Sequence, residues 1–243
     1  MRINIQPISK FEDEDHGYSL NVHGVFGPTI QGEGPLCGKP AVFIRLAGCN
    51  LQCPGCDTEY TEGAVRQSVQ AILGRVRRIH AGPTLVVITG GEPFRQNITP
   101  LVLALSDEDY AVQVETNGTL APPPDFPAYM GPMAHGKGAW VVVSPKAGKV
   151  NPMTASIAVA WKYVLAADSV NPEDGLPMQA LGHTAKPFVA RPPEWFPVEA
   201  IYVQPMDAQD EETNKKNRDA VVRSCLKHGY TVQLQVHKLL NLE

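Results

Sequence analysis

A recurring unit constrains the fold of this chain most strongly: a short apolar run that ends in a polar loop. In residues 85–88 four consecutive aliphatic residues precede Thr89-Gly90-Gly91-Glu92. A run without polar alternation is typical of a parallel strand that is covered on both faces. Further strand-like segments, several of them interrupted by polar residues, occupy residues 20–26, 41–47, 111–114, 140–143, 161–165, 200–203 and 231–236. The repetition predicts a largely parallel sheet with its polar loops at the carboxyl ends of the strands.

Few of the connections between these runs have helical periodicity. Apolar residues recur at helical spacing in residues 68–79, 98–105 and 214–228, whereas residues 122–138 and 168–197 are rich in proline and glycine. We therefore predict an α/β fold, an incomplete, helix-poor (β/α)6-type partial TIM barrel with about six core strands. A doubly wound open sheet is the alternative, but its Gly-x-Gly-x-x-Gly fingerprint at the start of a helix is absent.

Length and composition bound the class of protein. A chain of 243 residues suits one domain, 1–243, and residues 1–18 are polar and acidic, which predicts a poorly ordered or edge-lying N-terminal extension. Hydrophobic residues make up 43% of the chain, and no apolar run approaches the roughly 20 residues of a membrane span. The net charge of -4 offers no basic surface to nucleic acid. We expect a cytoplasmic protein that acts on a small molecule, without nucleic-acid or membrane partners.

Three cysteines, Cys49, Cys53 and Cys56, lie in one loop, residues 49–56, which we call the cysteine loop. Gly48, Pro54 and Gly55 bend its backbone, so the thiols can surround one inorganic core. An iron–sulfur cube has four irons, and three thiolates leave one iron open to chelate a substrate or cofactor through an amine and a carboxylate. This vacancy favours catalysis over simple electron transfer.

Other roles for the cysteines fit less well. A structural zinc site needs a fourth Cys or His and commonly a second knuckle, and no second Cys-x-x-Cys occurs. The cysteine count of five is odd and nothing resembles a secretory signal, which argues against disulfides. Cys37 could be imagined as a fourth ligand, but we favour a free thiol there, and a core thiol at Cys225.

The Cys-x3-Cys-x2-Cys spacing resembles that of radical S-adenosylmethionine enzymes, and the flanking residues resemble one family among them, the 7-carboxy-7-deazaguanine synthases. The matching motifs follow in order from about residue 22 to the C-terminus: Thr-Ile-Gln-Gly-Glu-Gly at 29–34, Phe-Ile-Arg-Leu-Ala-Gly-Cys at 43–49, Cys-Asp-Thr at 56–58, Thr-Gly-Gly-Glu-Pro at 89–93, Glu-Thr-Asn-Gly at 115–118, Ser-Pro-Lys at 144–146, Gln-Pro-Met-Asp at 204–207 and His-Lys at 237–238.

The resemblance implies a reaction and its cofactors. S-adenosylmethionine would chelate the open iron of a [4Fe-4S] cluster and be cleaved reductively to a 5′-deoxyadenosyl radical. The radical would remove hydrogen from 6-carboxy-5,6,7,8-tetrahydropterin, which contracts to 7-carboxy-7-deazaguanine with loss of ammonia, a step of queuosine-type 7-deazapurine biosynthesis. The family also implies Mg2+, a flavodoxin- or ferredoxin-type reductant and a homodimer.

The same resemblance assigns site residues. The cluster ligands are Cys49, Cys53 and Cys56. The S-adenosylmethionine contacts are Gly55, Asp57, Gly91, Glu92, Ser144, Pro145, Lys146, Gln204, Pro205, Met206 and Asp207. The substrate contacts are Ile30, Gln31, Gly32, Glu33, Arg45, Thr89, His237 and the terminal carboxylate of Glu243. The magnesium ligand is the hydroxyl of Thr58. Mg2+ would keep most of its coordination shell as water and substrate oxygens.

Alternatives remain open at this stage. Thr58 could cap a helix, Glu115 and Asn117 could form turns, and a lone His237 is more often a satisfied core histidine. At the level of the whole protein, two other classes of function stay open: a radical-generating activase of a partner enzyme, and a non-catalytic zinc-binding module. Arg45 favours the pterin enzyme, because a guanidinium fork suits the carboxylate of that substrate.

Overall fold

The computed structural model describes residues 3–9, 15–80, 84–129, 137–182 and 188–242. Its strands form one sheet in the order β3-β1-β2-β4-β5-β6-β7-β8-β9. The bounds are β1 Ser19–Ile30, β2 Pro40–Leu46, β3 Val65–Ser68, β4 Leu85–Gly90, β5 Ala111–Thr116, β6 Ala139–Val143, β7 Ala158–Leu165, β8 Ile201–Pro205 and β9 Thr231–Val232.

Strand directions follow the expected pattern. From β2 through β4 to β9 each strand pairs in parallel with the next, and β1 and β3 add antiparallel strands beyond β2. Six parallel strands have five residues or more, and β9 adds two residues. The predicted helix-poor α/β barrel with its parallel core is therefore confirmed.

The segment that follows β1 contacts the segment that follows β9, although six strands separate β1 from β9 in the sheet order. The N–H of Gly34, just after β1, donates to Gln233 Oε1 at 2.7 Å, and Gln233 Nε2 donates to the Gly34 carbonyl at 3.2 Å. The N–H of Val236 donates to the Gly32 carbonyl at 3.1 Å. These contacts require a curled sheet. They form what we call the polar seam, residues 32–34 against 233–236, which closes the partial barrel.

Both faces of the central strands are buried, as their continuous apolar runs predict. Val86 and Ile88 belong to the main core, whereas Leu85 and Val87 pack on the other face with Ala41. The larger core lies between the sheet and the helices, α1 Val69–Ile79, α2 Thr99–Asp107, α3 Pro152–Ile157, α4 Glu211–His228 and α5 Val236–Leu239.

Capping residues set the bounds of the two predicted longer helices. Ser68 begins α1, where its hydroxyl accepts the N–H of Ala71 at 3.2 Å. Helix α4 begins after Asp210, three residues before the predicted start, and its C-terminal cap is Gly229 at φ 82°. Among the described residues, no helix is long and apolar enough to cross a membrane.

Three expectations were wrong in detail. The predicted strand 231–236 is only two residues long, because the side chain of Gln233 bonds Gly34 where a neighbouring strand would have been needed. Strand β1 extends to Ile30, four residues beyond the segment 20–26 that the sequence predicted. Residues 3–9 are neither disordered nor edge-lying, since they run along the cysteine loop. Residues 10–14, within the predicted extension, lie outside the described residues.

Candidate functional site

The cysteine loop leaves the carboxyl end of β2 and is held by three neighbouring segments. The N–H of Gly48 donates to the Tyr60 carbonyl at 2.8 Å, and the N–H of Glu92 donates to the Gly48 carbonyl at 2.9 Å. The N–H of Gly55 donates to the Leu181 carbonyl at 2.8 Å. The loop therefore lies at the same edge of the sheet as the segments that follow β4 and β7.

The three thiols of the loop are free. Burial raises the pKa of Cys49 to about 11, with smaller contributions from Glu92, Cys53 and Cys56. Burial likewise raises the pKa of Cys53 and Cys56, although the Lys146 ammonium opposes the shift. Cys37 and Cys225 are not among the electrostatic neighbours of Cys49.

This donor set fits an iron–sulfur cluster. Thiolates bind iron once the metal displaces their protons, and the N–H of Leu51 already donates to Cys49 Sγ at 3.4 Å, the kind of bond that tunes such clusters. In the described ranges, no group of three or more His, Cys, Asp or Glu side chains is arranged around a single metal ion.

Two glycines let the backbones after β2 and β4 touch. A Cβ on Gly91 would overlap the carbonyl oxygen of Gly48, and a Cβ on Gly90 would overlap Leu46. Gly90 also has φ 136°, in a region that side chains rarely adopt. The Gly-Gly pair at 90–91 thus allows close packing against the cysteine loop, and its contact with the cofactor stays a prediction.

Glu92 is fully buried and braces two loops. One carboxylate oxygen accepts the Phe94 N–H at 3.0 Å and the Thr116 hydroxyl at 2.6 Å, and the other accepts the Asn117 N–H at 2.7 Å. Asn117 continues to the cysteine loop, where its Nδ2 donates to Asn50 at 3.0 Å. Glu92 therefore joins the ends of β4 and β5, and its predicted contact with a methionine amine would add to these bonds.

The remaining cofactor candidates lie at the ends of β6 and β8. Lys146 Nζ donates to the Ser144 hydroxyl at 2.6 Å and carbonyl at 2.8 Å. Burial lowers the pKa of Lys146, and the nearby Lys162 ammonium acts in the same direction. Asp207 accepts from the N–H of Gln209 in its own loop at 3.0 Å and from Asn214 Nδ2 in the first turn of α4 at 3.1 Å. Pro145 is buried, and Pro205 and Met206 are half-buried.

A charged cluster fills the barrel interior. Lys162 Nζ, on β7, bonds Glu33 and also bonds Glu115 at 3.2 Å. Gln31 Nε2 donates to Glu115 at 3.0 Å, and Gln235 Nε2 donates to Glu33 at 2.7 Å. Burial alone would raise the pKa of Glu33, but the Lys162 ammonium and these hydrogen bonds lower it to about 2. Burial would lower the pKa of Lys162, but the two carboxylates raise it.

Three buried polar atoms beside this cluster have no partner among the described residues: Arg45 Nε, Gln113 Oε1 and Gln204 Oε1. Arg45 lies over the Phe26 ring at 5.0 Å from the centroid, and it pairs with Thr89 across β2 and β4. Buried polar groups are normally satisfied, so unpaired donors and acceptors in an interior indicate a site for a polar ligand.

The structure brings several predicted substrate residues to this interior. Gln31, Glu33 and Arg45 lie there, and His237 packs directly against Gly32, where a Cβ would overlap the imidazole. His237 lies in the short helix α5, not at the end of a strand. Leu239, Leu240 and Leu242 are exposed, so they do not pack the C-terminal tail onto the rest of the protein. Glu243 lies outside the described residues.

Thr58 does not cap a helix. Its hydroxyl faces Asp57 Oδ1 at 3.5 Å, and its carbonyl accepts from Gln6 Nε2 at 2.8 Å. The position beside Cys56 leaves the hydroxyl available to a metal ion, and a magnesium site there stays a prediction.

Sequence reasoning missed Lys162 and Tyr60. Lys162 is the only charged residue in β7, and a lysine within a buried-type strand is the signal that could have identified it. Tyr60 is fully buried under the cysteine loop, and burial raises its pKa. A tyrosine in a polar stretch gives no such signal.

The chain is similar to known proteins over most of its length. The model of the radical SAM superfamily matches residues 43–149. The 7-carboxy-7-deazaguanine synthase of Rhodospirillum rubrum is 39% identical over 237 residues, which cover 95% of each chain. The enzyme of that name from Rickettsia prowazekii is 35% identical, over 93% of this chain and 90% of its own.

Among solved structures, QueE from Escherichia coli aligns with a TM-score of 0.61 at 22% sequence identity, over 89% of this chain and 93% of that one. This likeness supports the fold. The sequence identity to the first two relatives extends over nearly the whole length of the chain. The chain therefore belongs to the 7-carboxy-7-deazaguanine synthase family of radical SAM proteins.

Proposed function

We propose that the protein converts 6-carboxy-5,6,7,8-tetrahydropterin to 7-carboxy-7-deazaguanine with loss of ammonia. The observation that carries this proposal is the polar interior beside the cysteine loop, in which Arg45, Gln113 and Gln204 leave buried polar atoms unpaired among the described residues. Such an interior suits a flat ligand with many hydrogen-bonding groups and a carboxylate. When bound, the cluster and S-adenosylmethionine supply the radical that removes hydrogen from the substrate.

The side chains of this chain bind and orient the reactants. Cys49, Cys53 and Cys56 would hold the cluster, and the ends of β4, β6 and β8 would hold S-adenosylmethionine. Lys162 keeps Glu33 ionised at neutral pH, because its ammonium lowers the pKa of that carboxyl to about 2. An ionised Glu33 accepts hydrogen bonds from pterin N–H groups, while the guanidinium of Arg45 binds the substrate carboxylate.

Further components belong to the same proposal. Thr58 would ligate Mg2+ that orients the pterin, and the reductant would be of the flavodoxin or ferredoxin type. All five cysteines are free thiols, which suits a reducing compartment such as the cytoplasm. One domain, a homodimer, and no nucleic-acid or membrane partner stay predictions.

The experiment is anaerobic incubation of the reconstituted protein with the pterin, S-adenosylmethionine, Mg2+ and a reductant, followed by mass spectrometry. We expect a product with the mass of 7-carboxy-7-deazaguanine, formed only when all components are present. A protein that carries a full cluster and cleaves S-adenosylmethionine, but leaves the pterin intact, would contradict the proposed substrate.

A further inference from the structure

Residues 3–9, which we call the N-terminal strap, run along the outside of the cysteine loop. Their side chains alternate: Asn4 and Gln6 face the loop and are half-buried, whereas Ile3 and Ile5 face outward and are 71% and 81% exposed. A strand that covers an apolar core turns its apolar side chains inward and its polar side chains outward. The strap has the reverse pattern. The inward face of the strap is therefore built for hydrogen bonding.

Asn4 bonds the loop through both its backbone and its side chain. Its N–H donates to the Pro54 carbonyl at 2.8 Å, and its Nδ2 donates to the Cys53 carbonyl at 3.2 Å. The same Nδ2 lies 3.3 Å from the hydroxyl of Tyr60, the buried ring under the loop. Asn4 thus bonds the backbone carbonyls of two successive residues, Cys53 and Pro54.

Gln6 uses both ends of its amide. Nε2 donates to the Thr58 carbonyl at 2.8 Å, and Oε1 accepts the Tyr60 N–H at 2.7 Å. Asn4 Oδ1 accepts from the backbone N–H of Gln6 at 3.0 Å, which fixes the two side chains together. A side-chain amide carries both a donor and an acceptor, so Gln6 bonds the Thr58 carbonyl and the Tyr60 N–H at the same time.

The strap also bonds the loop through its own backbone. The N–H of Ser9 donates to the Cys49 carbonyl at 3.1 Å, and Gln52 Nε2 donates to the Gln6 carbonyl at 2.8 Å. Carbonyls of two of the three cluster cysteines, Cys49 and Cys53, therefore have partners in the strap. The Cys49 carbonyl also accepts from Arg95 Nη1 and the Cys53 carbonyl from the Cys56 N–H, each at 3.1 Å, so the strap adds to the bonds that fix the loop.

We propose that Asn4 and Gln6 are positioning residues of the iron–sulfur site: they fix the backbone of residues 49–61 around the cluster and slow its loss to solvent. This inference rests on the proposed cluster. Cluster loss requires the loop to open, and each strap bond opposes that opening. Replacing the Gln6 amide removes its bonds to the Thr58 carbonyl and the Tyr60 N–H and its longer contacts with Asn4 Oδ1 at 3.2 Å and the Thr61 hydroxyl at 3.3 Å. Their loss should favour local opening about tenfold, because each hydrogen bond contributes only modestly to stability after exchange with water.

The test compares Gln6→Met and Asn4→Leu, which keep side-chain size but lose the bonds, with the matched control Ile5→Gln on the outward face. Each protein is reconstituted anaerobically without substrate, and iron content and the electron paramagnetic resonance spectrum of the reduced cluster are recorded. The rate of cluster loss to a chelator is then measured by visible absorbance. We expect loss about tenfold faster in Gln6→Met, an altered spectrum, and parent-like behaviour in Ile5→Gln.

A milder variant keeps the test decisive if Gln6→Met fails to fold. Gln6→Asn keeps the amide but shortens the side chain by one methylene, which weakens its bonds without burying an apolar group, so its rate of cluster loss should fall between those of the parent and Gln6→Met. Parent-like loss rates and spectra in Gln6→Asn and Asn4→Leu would overturn the inference while leaving the proposed function intact. A parent protein that binds no iron would overturn both.

Discussion

At the scale of single residues, the cysteines differ in environment although their chemistry is the same. Cys49, Cys53 and Cys56 interact with one another, whereas Cys225 lies in the core beneath α4, where burial raises its pKa to about 11. We expect Ala at any of the first three positions to abolish iron binding in anaerobically reconstituted protein. Cys37→Ala and Cys225→Ala are the controls and should keep the iron content of the parent; loss of iron in either would reassign the ligands.

Thr58 makes a second prediction at this scale. Its hydroxyl has Asp57 as its neighbour at 3.5 Å, and it would help to fix the metal that orients the pterin. Thr58→Ala should therefore weaken the stimulation of turnover by magnesium while the cluster remains assembled. Turnover measured against magnesium concentration tests this, with Thr58→Ser as the control that keeps the hydroxyl. An unchanged magnesium dependence in Thr58→Ala would move the metal site elsewhere.

Lys162 governs the charge of the interior, and its effect depends on pH. The pKa of Glu33 is about 2, below its usual 4.5, so its ionisation stabilises the fold fully above pH 4.5. That contribution is lost as the pH falls from 4.5 to about 2. In Lys162→Met no ammonium group offsets the cost of burying the Glu33 carboxylate. We therefore expect a loss of about 3–5 kcal/mol in the free energy of unfolding at neutral pH.

Chemical unfolding of both proteins from acid to neutral pH measures this difference. The deficit of Lys162→Met should shrink as the pH falls and Glu33 takes up a proton. Lys137→Met is a control on an exposed lysine, and it should follow the parent at every pH. A deficit independent of pH would indicate lost packing, not lost charge.

At the scale of elements, the contact between the ends of β2 and β4 depends on the absence of a side chain. In Gly91→Ala the new Cβ would overlap the carbonyl oxygen of Gly48 next to Cys49, so the two segments must separate. We expect a lower iron content and a lower thermal midpoint. Gly24→Ala in β1 is the matched control, because nothing lies within 4 Å of its added Cβ. Equal iron content in the two variants would contradict this explanation.

The sequence predicted elements where one physical signal dominated. Continuous β-branched runs located β4 to β8, and apolar spacing with a serine cap located α1. Residues 231–236 alternate polar and apolar side chains like a strand, yet only two of them pair, because the segment ends the sheet and its glutamines bond loop groups instead. The strap was missed because its apolar side chains face solvent, which no pattern of burial predicts.

At the scale of the whole molecule, the polar seam determines whether the interior is closed. In Gln233→Leu the buried N–H of Gly34 loses its partner, and the Gly34 carbonyl keeps only the Cys37 N–H, so stability should fall by about 1–3 kcal/mol. Pterin affinity should fall as well, because Glu33 adjoins Gly34, while the cluster remains. Anaerobic calorimetry and iron analysis test this. Leu234→Gln, on a 40% exposed neighbour, is the control.

The order of strands has a consequence for how the chain assembles. From β2 through β4 to β9, strands that are neighbours in the sheet also follow one another along the chain, so the sheet can lengthen one strand at a time. The seam joins residues 199 positions apart and must wait for residue 233. Before the seam forms, we expect Lys162, Glu33 and Glu115 to stay hydrated. A chain truncated before β9 should therefore form most of the sheet without desolvating these charges.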